Sequence, residues 1–219
     1  MKNIVILISG GGSNMRALVA HVQAAGWVSA NKARVAAVLS NDAGAAGLVY
    51  AREQGIATAV VSHRDYASRA DFDVALRQQI DAYDADVVLL AGFMRILTPE
   101  FVAHYEGRLL NIHPSILPNF KGLHTHQAAL DAGVKLHGAT VHFVTAELDH
   151  GAYVMQSCVP VLPSDTADTL AARVLRTEHV IYPQVLDWWV HGQLLWQNGQ
   201  VRVKNGASQI YVLNEDSLD

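Results

Sequence analysis

Cysteine is nearly absent from this chain, Cys158 being the single example. No intrachain disulfide can form, which fits a reducing cytoplasm, and a lone thiol in an apolar, strand-like stretch serves as small hydrophobic filler. Dense runs of lysine and arginine are missing too, and the formal net charge is −4. A nucleic-acid partner would call for a basic face, so none is expected, and nothing marks a membrane-binding patch. Long apolar runs are lacking as well. Ile4 to Ile8 follows Lys2 but stops at glycines, too short for a signal-peptide core, and Val87 to Met94 falls short of a bilayer span. What is present is a 51% apolar share over 219 residues, enough to bury a sizeable core in one soluble globular domain.

Strand and helix patterns alternate through the first half. Asn3 to Ser9 is an apolar, β-branched run of the kind buried on both faces of a parallel sheet, and Gly10 to Gly12 break it. Ser13 or Asn14 then caps a helix reaching about Ala25, with Met15, Leu18, Val19 and Val22 on one stripe. A strand at Ala33–Leu39, a helix at Gly47–Gln54 and a strand at Ala57–Val61 follow, then a helix at Asp71–Tyr83 and a strand at Val87–Ala91. Thr98 and Pro99 open a short helix. The second half reads differently. A long loop covers Asn119–His126, a brief helix Gln127–Ala132, and two strands Leu136–Val144 and Tyr153–Pro160. A helix capped by Ser164 or Asp165 carries Leu170, Val174, Thr177 and Ile181 until Pro183 kinks or restarts it. Leu194–Gln197 and Gln200–Val203 flank Asn198-Gly199 as a hairpin, and a loosely held polar tail closes the chain. The pattern predicts one α/β domain, mostly parallel, with antiparallel additions in its C-terminal half.

The most informative stretch is Leu109 to Pro118. It begins as a buried strand yet places Asn111 and His113 on alternate positions, hence on one face, just where Pro114 ends the ladder. An amide that donates and an imidazole that carries a proton can hold an oxyanion and move a proton. Two other unusual stretches also sit at strand ends, where open α/β sheets bind ligands: Gly10 to Asn14 and Gly92 to Leu97. The glycine loop fits a monophosphate, since Met15 replaces the third glycine of the dinucleotide motif and no P-loop Lys-Ser/Thr follows. A plain tight turn explains the same glycines equally well. Gly92-Phe93-Met94-Arg95-Ile96-Leu97 is apolar for a loop, suiting either a flat heteroaromatic ligand or packing against a helix. His113, His124, His126, His137, His142 and His150, with Asp149, invite a metal reading, with His124-Thr125-His126 as a pair on one strand. No HExxH or thiolate set accompanies them, so no metal is expected.

Several ordered blocks together resemble the folate-dependent formyltransferases, and among them the phosphoribosylglycinamide formyltransferases of purine synthesis. The blocks are Leu7 to Asn14, Leu90 to Leu97, Leu110 to Ser115, Gly122 to His126, His137 to Phe143, Glu147 to Asp149 and Glu178-His179. The resemblance spans residues 2 to about 190. It implies a Rossmann-like formyltransferase domain over residues 1–190, with 191–219 as a hairpin and tail packed on or trailing it. By the same resemblance Gly12, Ser13 and Asn14 hold the ribonucleotide phosphate and Glu178 its ribose end. Folate falls to Arg69, to Met94, Arg95, Ile96 and Leu97, to Asn111, and to Thr145, Ala146, Glu147, Leu148 and Asp149. Asn111, His113 and Asp149 are the catalytic group, with Thr140 in support. Thr140 stands where bacterial members often have serine, Lys121 where proline is common, and the match weakens after about Val190.

The implied reaction moves the formyl group of 10-formyltetrahydrofolate onto the amine of phosphoribosylglycinamide, by direct attack. Asn111 and a protonated His113 would donate to the oxyanion, and a carboxylate at Asp149 would favour the charged imidazole. No metal, nucleic acid or membrane is implied, and the chain would act as a monomer or homodimer in the cytoplasm. Two relatives of the same fold are alternatives: a formyltetrahydrofolate hydrolase with water as acceptor, and a methionyl-tRNA formyltransferase. Each normally carries an additional domain for which this chain has no room, and the acidic charge disfavours tRNA.

Overall fold

The computed structural model describes residues 1–197 and 200–213. The chain falls into two compact units, Met1–Asn111 and Ile112–Asp219.

Unit one is built on a parallel sheet whose central strands are buried on both faces and whose edge strand is partly exposed. β1 (Lys2–Ile8), β2 (Ala33–Ser40), β3 (Ala57–Val60) and β4 (Val87–Leu90) pair in parallel in the order β3-β2-β1-β4. Ile6 lies between Val38 and Leu89, and Ile4 to Ile8 have no solvent exposure, as the unbroken apolar run requires. The first residues of β5 (Leu109–His113) extend this parallel set beside β4, with Leu90 opposite Asn111. Helices α1 (Ser13–Ala24), α2 (Ala46–Glu53), α3 (Arg69–Asp81) and α4 (Pro99–His104) connect the strands. α1 buries the expected Met15, Leu18, Val19 and Val22 stripe.

Its cap differs from expectation. Gly12, at φ 70°, is the N-cap and no side chain caps the helix, so Ser13 and Asn14 already lie inside it. A left-handed residue is needed there, and a Cβ on Gly12 would come within 2.9 Å of Met15 Cε and 3.2 Å of the Gly47 Cα. α4 is capped as its sequence indicates: Thr98 accepts from Phe101 N with Pro99 in the first turn.

Unit two contains the antiparallel part. β6 (Leu136–Phe143) pairs antiparallel with β7 (Tyr153–Pro160), and Gly138 packs against the Ser157 backbone so closely that a Cβ would stand 1.8 Å from its carbonyl oxygen. α5 (Thr125–Asp131) starts two residues earlier than its apolar pattern suggests, with His124 at φ 57° as N-cap. His124-Thr125-His126 is therefore a helix start rather than a strand pair. α6 (Ala167–Val190) is capped by Thr166 in a reciprocal pair with Thr169, not by Ser164 or Asp165. Asp165 instead forms a bidentate ion pair with Arg173, at 2.6 and 2.8 Å. α6 also continues through Pro183 without a break. Ile181, Tyr182, Pro183, Val185 and Leu186 are all buried, and that packing outweighs the lost hydrogen bond.

β8 (Leu194–Gln197) and β9 (Gln200–Val203) form the anticipated hairpin, whose Asn198-Gly199 turn lies outside the described residues. A strand not anticipated from the polar tail, β10 (Ile210–Val212), pairs in parallel with β7. The remainder of the tail, 214–219, is likewise outside the described residues. The mostly parallel α/β class with late antiparallel strands is thus the observed one.

Candidate active site

In unit one, the end of β1 and the glycine loop line a cavity of about 430 Å³ together with Arg16, Ala91, Gly92 and Met94. Ser9 organises its floor. Its amide donates to Gly92 O at 3.0 Å, its hydroxyl donates to Asn41 Oδ1 at 2.6 Å, and it accepts from Met94 N at 2.8 Å. Gly47 N donates to Gly10 O at 3.1 Å, which brings the start of α2 against the loop. Gly12, Ser13 and Asn14 all line this cavity, at the positive end of α1.

The apolar loop after β4 is neither wholly buried nor wholly exposed. Phe93 is buried, whereas Met94 and Ile96 are 68% and 58% exposed, a large apolar surface for two neighbouring side chains. Arg95 turns inward, its guanidinium 5.8 Å from the Phe72 ring centroid and its Nε buried without a hydrogen bond. Of the loop, only Gly92 and Met94 line the cavity; Arg95, Ile96 and Leu97 do not. Arg69 lies exposed in the first turn of α3, away from the cavity lining. Asn111, half-buried, is the last residue of this unit.

In unit two, His113 is 5% exposed and both its ring nitrogens face acceptors. Nε2 is 2.9 Å from Phe120 O and Nδ1 is 3.4 Å from Asp149 Oδ1. The first is a hydrogen-bond contact and the second has the geometry of an ion pair. The other oxygen of Asp149 accepts from Gly122 N at 2.7 Å. One carboxylate therefore binds the ring and the loop that supplies the ring's second acceptor. Asp149 sits at φ 46°, a left-handed conformation that Asp tolerates better than most residues.

A second set of bonds fixes the residues after His113. The Thr140 hydroxyl, fully buried, donates to Ser115 O at 2.7 Å and accepts from Leu117 N and from Gln156 Nε2, each at 3.0 Å. Gln156 Nε2 also donates to Leu117 O at 2.9 Å. Ser115 Oγ donates to Asn119 O and Thr125 Oγ1 to Pro114 O, each at 2.6 Å. The segment Thr145–Asp149 is held by the Thr145 hydroxyl, which donates to His150 O, and by the Lys121 to Glu147 ion pair at 3.2 Å. Ala146, Glu147 and Leu148 are exposed, and Glu178 is buried on α6.

Three histidines, His126, His137 and His142, are held below the usual imidazole range. His137 Nε2 is 3.2 Å from His126 Nδ1. Burial, with the His126 charge adding to it, pushes His137 down to about 4, and burial lowers His126 as well. His142 is also driven down to about 4 by burial, partly opposed by its bond to Phe143 O and by the Asp149 charge. Among the described residues no three His, Cys, Asp or Glu side chains gather as a metal site would need. No described helix is long and apolar enough to cross a membrane.

Two features of this geometry escape sequence reading. The Phe120 carbonyl is a backbone acceptor seven residues from His113, invisible in any side-chain pattern. Arg16 lies two residues past the glycine-loop block, and its place at the cavity follows only from helical spacing.

Comparison with known proteins gives the family. The model of the formyl transferase family matches residues 2–186. Phosphoribosylglycinamide formyltransferase of Escherichia coli (strain K12) is 50% identical over 204 residues, covering 90% of this chain and 94% of that one. The trifunctional purine biosynthetic protein adenosine-3 of Bos taurus is 43% identical over 199 residues, 90% of this chain but 19% of that one, so the chain spans about a fifth of that relative. Among solved structures, phosphoribosylglycinamide formyltransferase from Coxiella burnetii in complex with CHES aligns with a TM-score of 0.87 at 42% identity, covering 97% of this chain and 99% of the other. A match over this much of the sequence, on a fold this similar, means that the chain belongs to the formyl transferase family.

Proposed function

We infer that the protein transfers the formyl group of 10-formyltetrahydrofolate to the amine of 5'-phosphoribosylglycinamide, giving 5'-phosphoribosyl-N-formylglycinamide and tetrahydrofolate in purine biosynthesis. The observation that carries this reading is the buried His113 with an acceptor at each ring nitrogen, one of them Asp149. The folate supplies an electrophilic formyl carbon, and the attacking nucleophile is the substrate's own amine. The chain's residues therefore need to bind, orient and stabilise charge, not to form a covalent intermediate.

Asn111 and His113 occupy alternate positions of β5 and so share a face of that strand. Asn111 donates its amide to the oxyanion that develops as the amine adds, and the His113 imidazolium supplies a second, charged donor. Charge-assisted donors are the stronger kind. Asp149 keeps that charge favourable and fixes the ring plane, while the Gly122 bond fixes Asp149. As the bond to the folate nitrogen breaks, the proton lost by the amine goes to that nitrogen.

Binding divides among the remaining residues. Gly12, Ser13 and Asn14 seat the substrate phosphate on backbone N–H groups at the start of α1, and Glu178 takes the ribose end. The pterin lies against the exposed apolar side chains of Met94 and Ile96, with Arg95 and Leu97 beside them, and Arg69 and Thr145 to Asp149 complete the folate contacts. The compartment is the cytoplasm, where the lone Cys158 stays reduced.

The test follows folate absorbance with purified protein and 10-formyltetrahydrofolate, with and without phosphoribosylglycinamide. Transfer requires deformylation to depend on the amine and to yield one formylated product per folate released. Deformylation at the same rate without the amine would make the protein a hydrolase instead.

A further inference from the structure

Arg16 has no part in the assignments above, yet it borders the phosphate cavity. It stands on α1 one turn beyond the Gly12 N-cap, and its guanidinium lies over the Tyr50 ring of α2, 4.6 Å from the centroid. Of the residues lining the cavity, Arg16 alone carries a positive charge and none carries a negative one. A phosphate monoester brings close to two negative charges at neutral pH. Backbone N–H groups and a helix end offer only partial charges, roughly half an elementary charge, in return.

Stacking on Tyr50 uses the face of the guanidinium and leaves its in-plane N–H fork open to an anion. The stack also limits where an otherwise exposed and flexible side chain can go. Less rotamer freedom is then lost when the fork engages a ligand. Tyr50 is placed for this because the Gly10 and Gly47 backbones meet, drawing the first turn of α2 onto the glycine loop.

We propose that Arg16, held by Tyr50, is a specificity-determining contact for the phosphate of the acceptor substrate, selecting the ribonucleotide over the unphosphorylated riboside. This rests on the reading of Gly12 to Asn14 as the phosphate seat. The fork binds the phosphate oxygens from the open side of the cavity, opposite charge to charge, and takes no part in formyl transfer. Its contribution is electrostatic and partly exposed, so it weakens as ionic strength rises.

The experiment measures kcat and KM for phosphoribosylglycinamide and for glycinamide riboside, which lacks the phosphate, in the wild type and in Arg16→Gln, Arg16→Lys and Tyr50→Leu. Arg16→Gln is expected to raise KM for the phosphorylated substrate roughly 5- to 30-fold, the range of a screened charge-assisted bond, with kcat within about twofold. KM for the riboside stays unchanged. Arg16→Lys and Tyr50→Leu fall between wild type and Arg16→Gln, since the first keeps the charge without the planar fork and the second keeps the fork without the ring beneath it. If the wild type prefers the phosphorylated substrate and Arg16→Gln retains that preference, Arg16 is only a staple between α1 and α2 and the inference is wrong. A lowered melting temperature in both Arg16→Gln and Tyr50→Leu with unaltered KM would overturn it in the same way. If the wild type itself shows no preference between the two substrates, the phosphate seat fails and this inference with it.

Discussion

Asp149 binds His113 and Gly122 with separate oxygens, Oδ1 3.4 Å from the ring Nδ1 and Oδ2 accepting the amide of Gly122 at 2.7 Å. Gly122 lies two residues beyond Phe120, whose carbonyl meets the opposite ring nitrogen. One carboxylate thus governs both acceptors of one imidazole, the first directly and the second through the loop. Both groups are buried, at 5% and 9% exposure, so the attraction between them is poorly screened.

Thr140 should tolerate loss of its methyl and not of its hydroxyl. Thr140→Val removes one donor and the acceptor of two others in a fully buried position, leaving Leu117 N only its bond to Ser115 O, at 3.1 Å. Chemical denaturation is expected to show a loss of about 2–4 kcal/mol, and kcat should fall because the Ser115–Leu117 segment that follows His113 loosens. Thr140→Ser should cost about 1 kcal/mol or less and keep activity. Equal stability of the two variants would show that the methyl, not the hydroxyl, is what matters.

Ser9 holds Met94 from the end of β1. Ser9→Ala deletes the acceptor of Met94 N and the donor to Asn41 Oδ1 while leaving the backbone bond to Gly92. The apolar loop should become more mobile, raising KM for the folate several-fold, in line with about 1 kcal/mol per lost bond, with little change in kcat. Hydrogen exchange at the Met94 amide should quicken in parallel. A slowed kcat with unchanged folate KM would place the role of Ser9 elsewhere.

Acid should weaken the fold through two buried histidines. His137 and His142 are held down at about 4 when folded, against about 6.5 in an unfolded chain. Between those values the unfolded state binds more protons, so unfolding free energy falls as pH drops from about 6.5 and levels off below about 4. Each group accounts for on the order of 3 kcal/mol across that window. Urea midpoints measured from pH 7 to 4 should trace this slope, and His137→Gln should flatten its share. A midpoint independent of pH over that range would mean that the two rings take up protons in the folded state as readily as outside it.

Much of this arrangement was legible in the chain because the signals were redundant. β1 and β4 are unbroken apolar runs, and Thr98-Pro99 marks its helix by both a cap and a fixed φ. Where the sequence misled, tertiary packing outweighed local preference. Pro183 lies in mid-helix because Ile181, Tyr182, Val185 and Leu186 around it are buried. Ser13 and Asn14 are good caps, but the tight contact between Gly12 and Gly47 moves the helix start back onto glycine. Ile210–Val212 forms a strand only because the β7 edge is available, which a polar tail does not announce. The site divides in the same way. Asn111 and His113 announce themselves by alternation, and Asp149 came only with the family blocks. The Phe120 carbonyl and the Arg16–Tyr50 stack depend on backbone course and helix packing, which side-chain spacing does not encode.

The most direct test of the His113–Asp149 relationship is the single-turnover rate of formyl transfer in Asp149→Asn, with both substrates shown by titration to be bound. Asparagine accepts the left-handed backbone and can still bond Gly122 N through its oxygen, so the loop is retained while the charge is removed and an amide NH2 replaces the acceptor facing His113 Nδ1. The expected result is a rate lower by roughly 10²- to 10⁴-fold at near-normal binding. A rate within about twofold of wild type, with both substrates bound, would contradict the assignment of Asp149 as the group that sustains a charged His113.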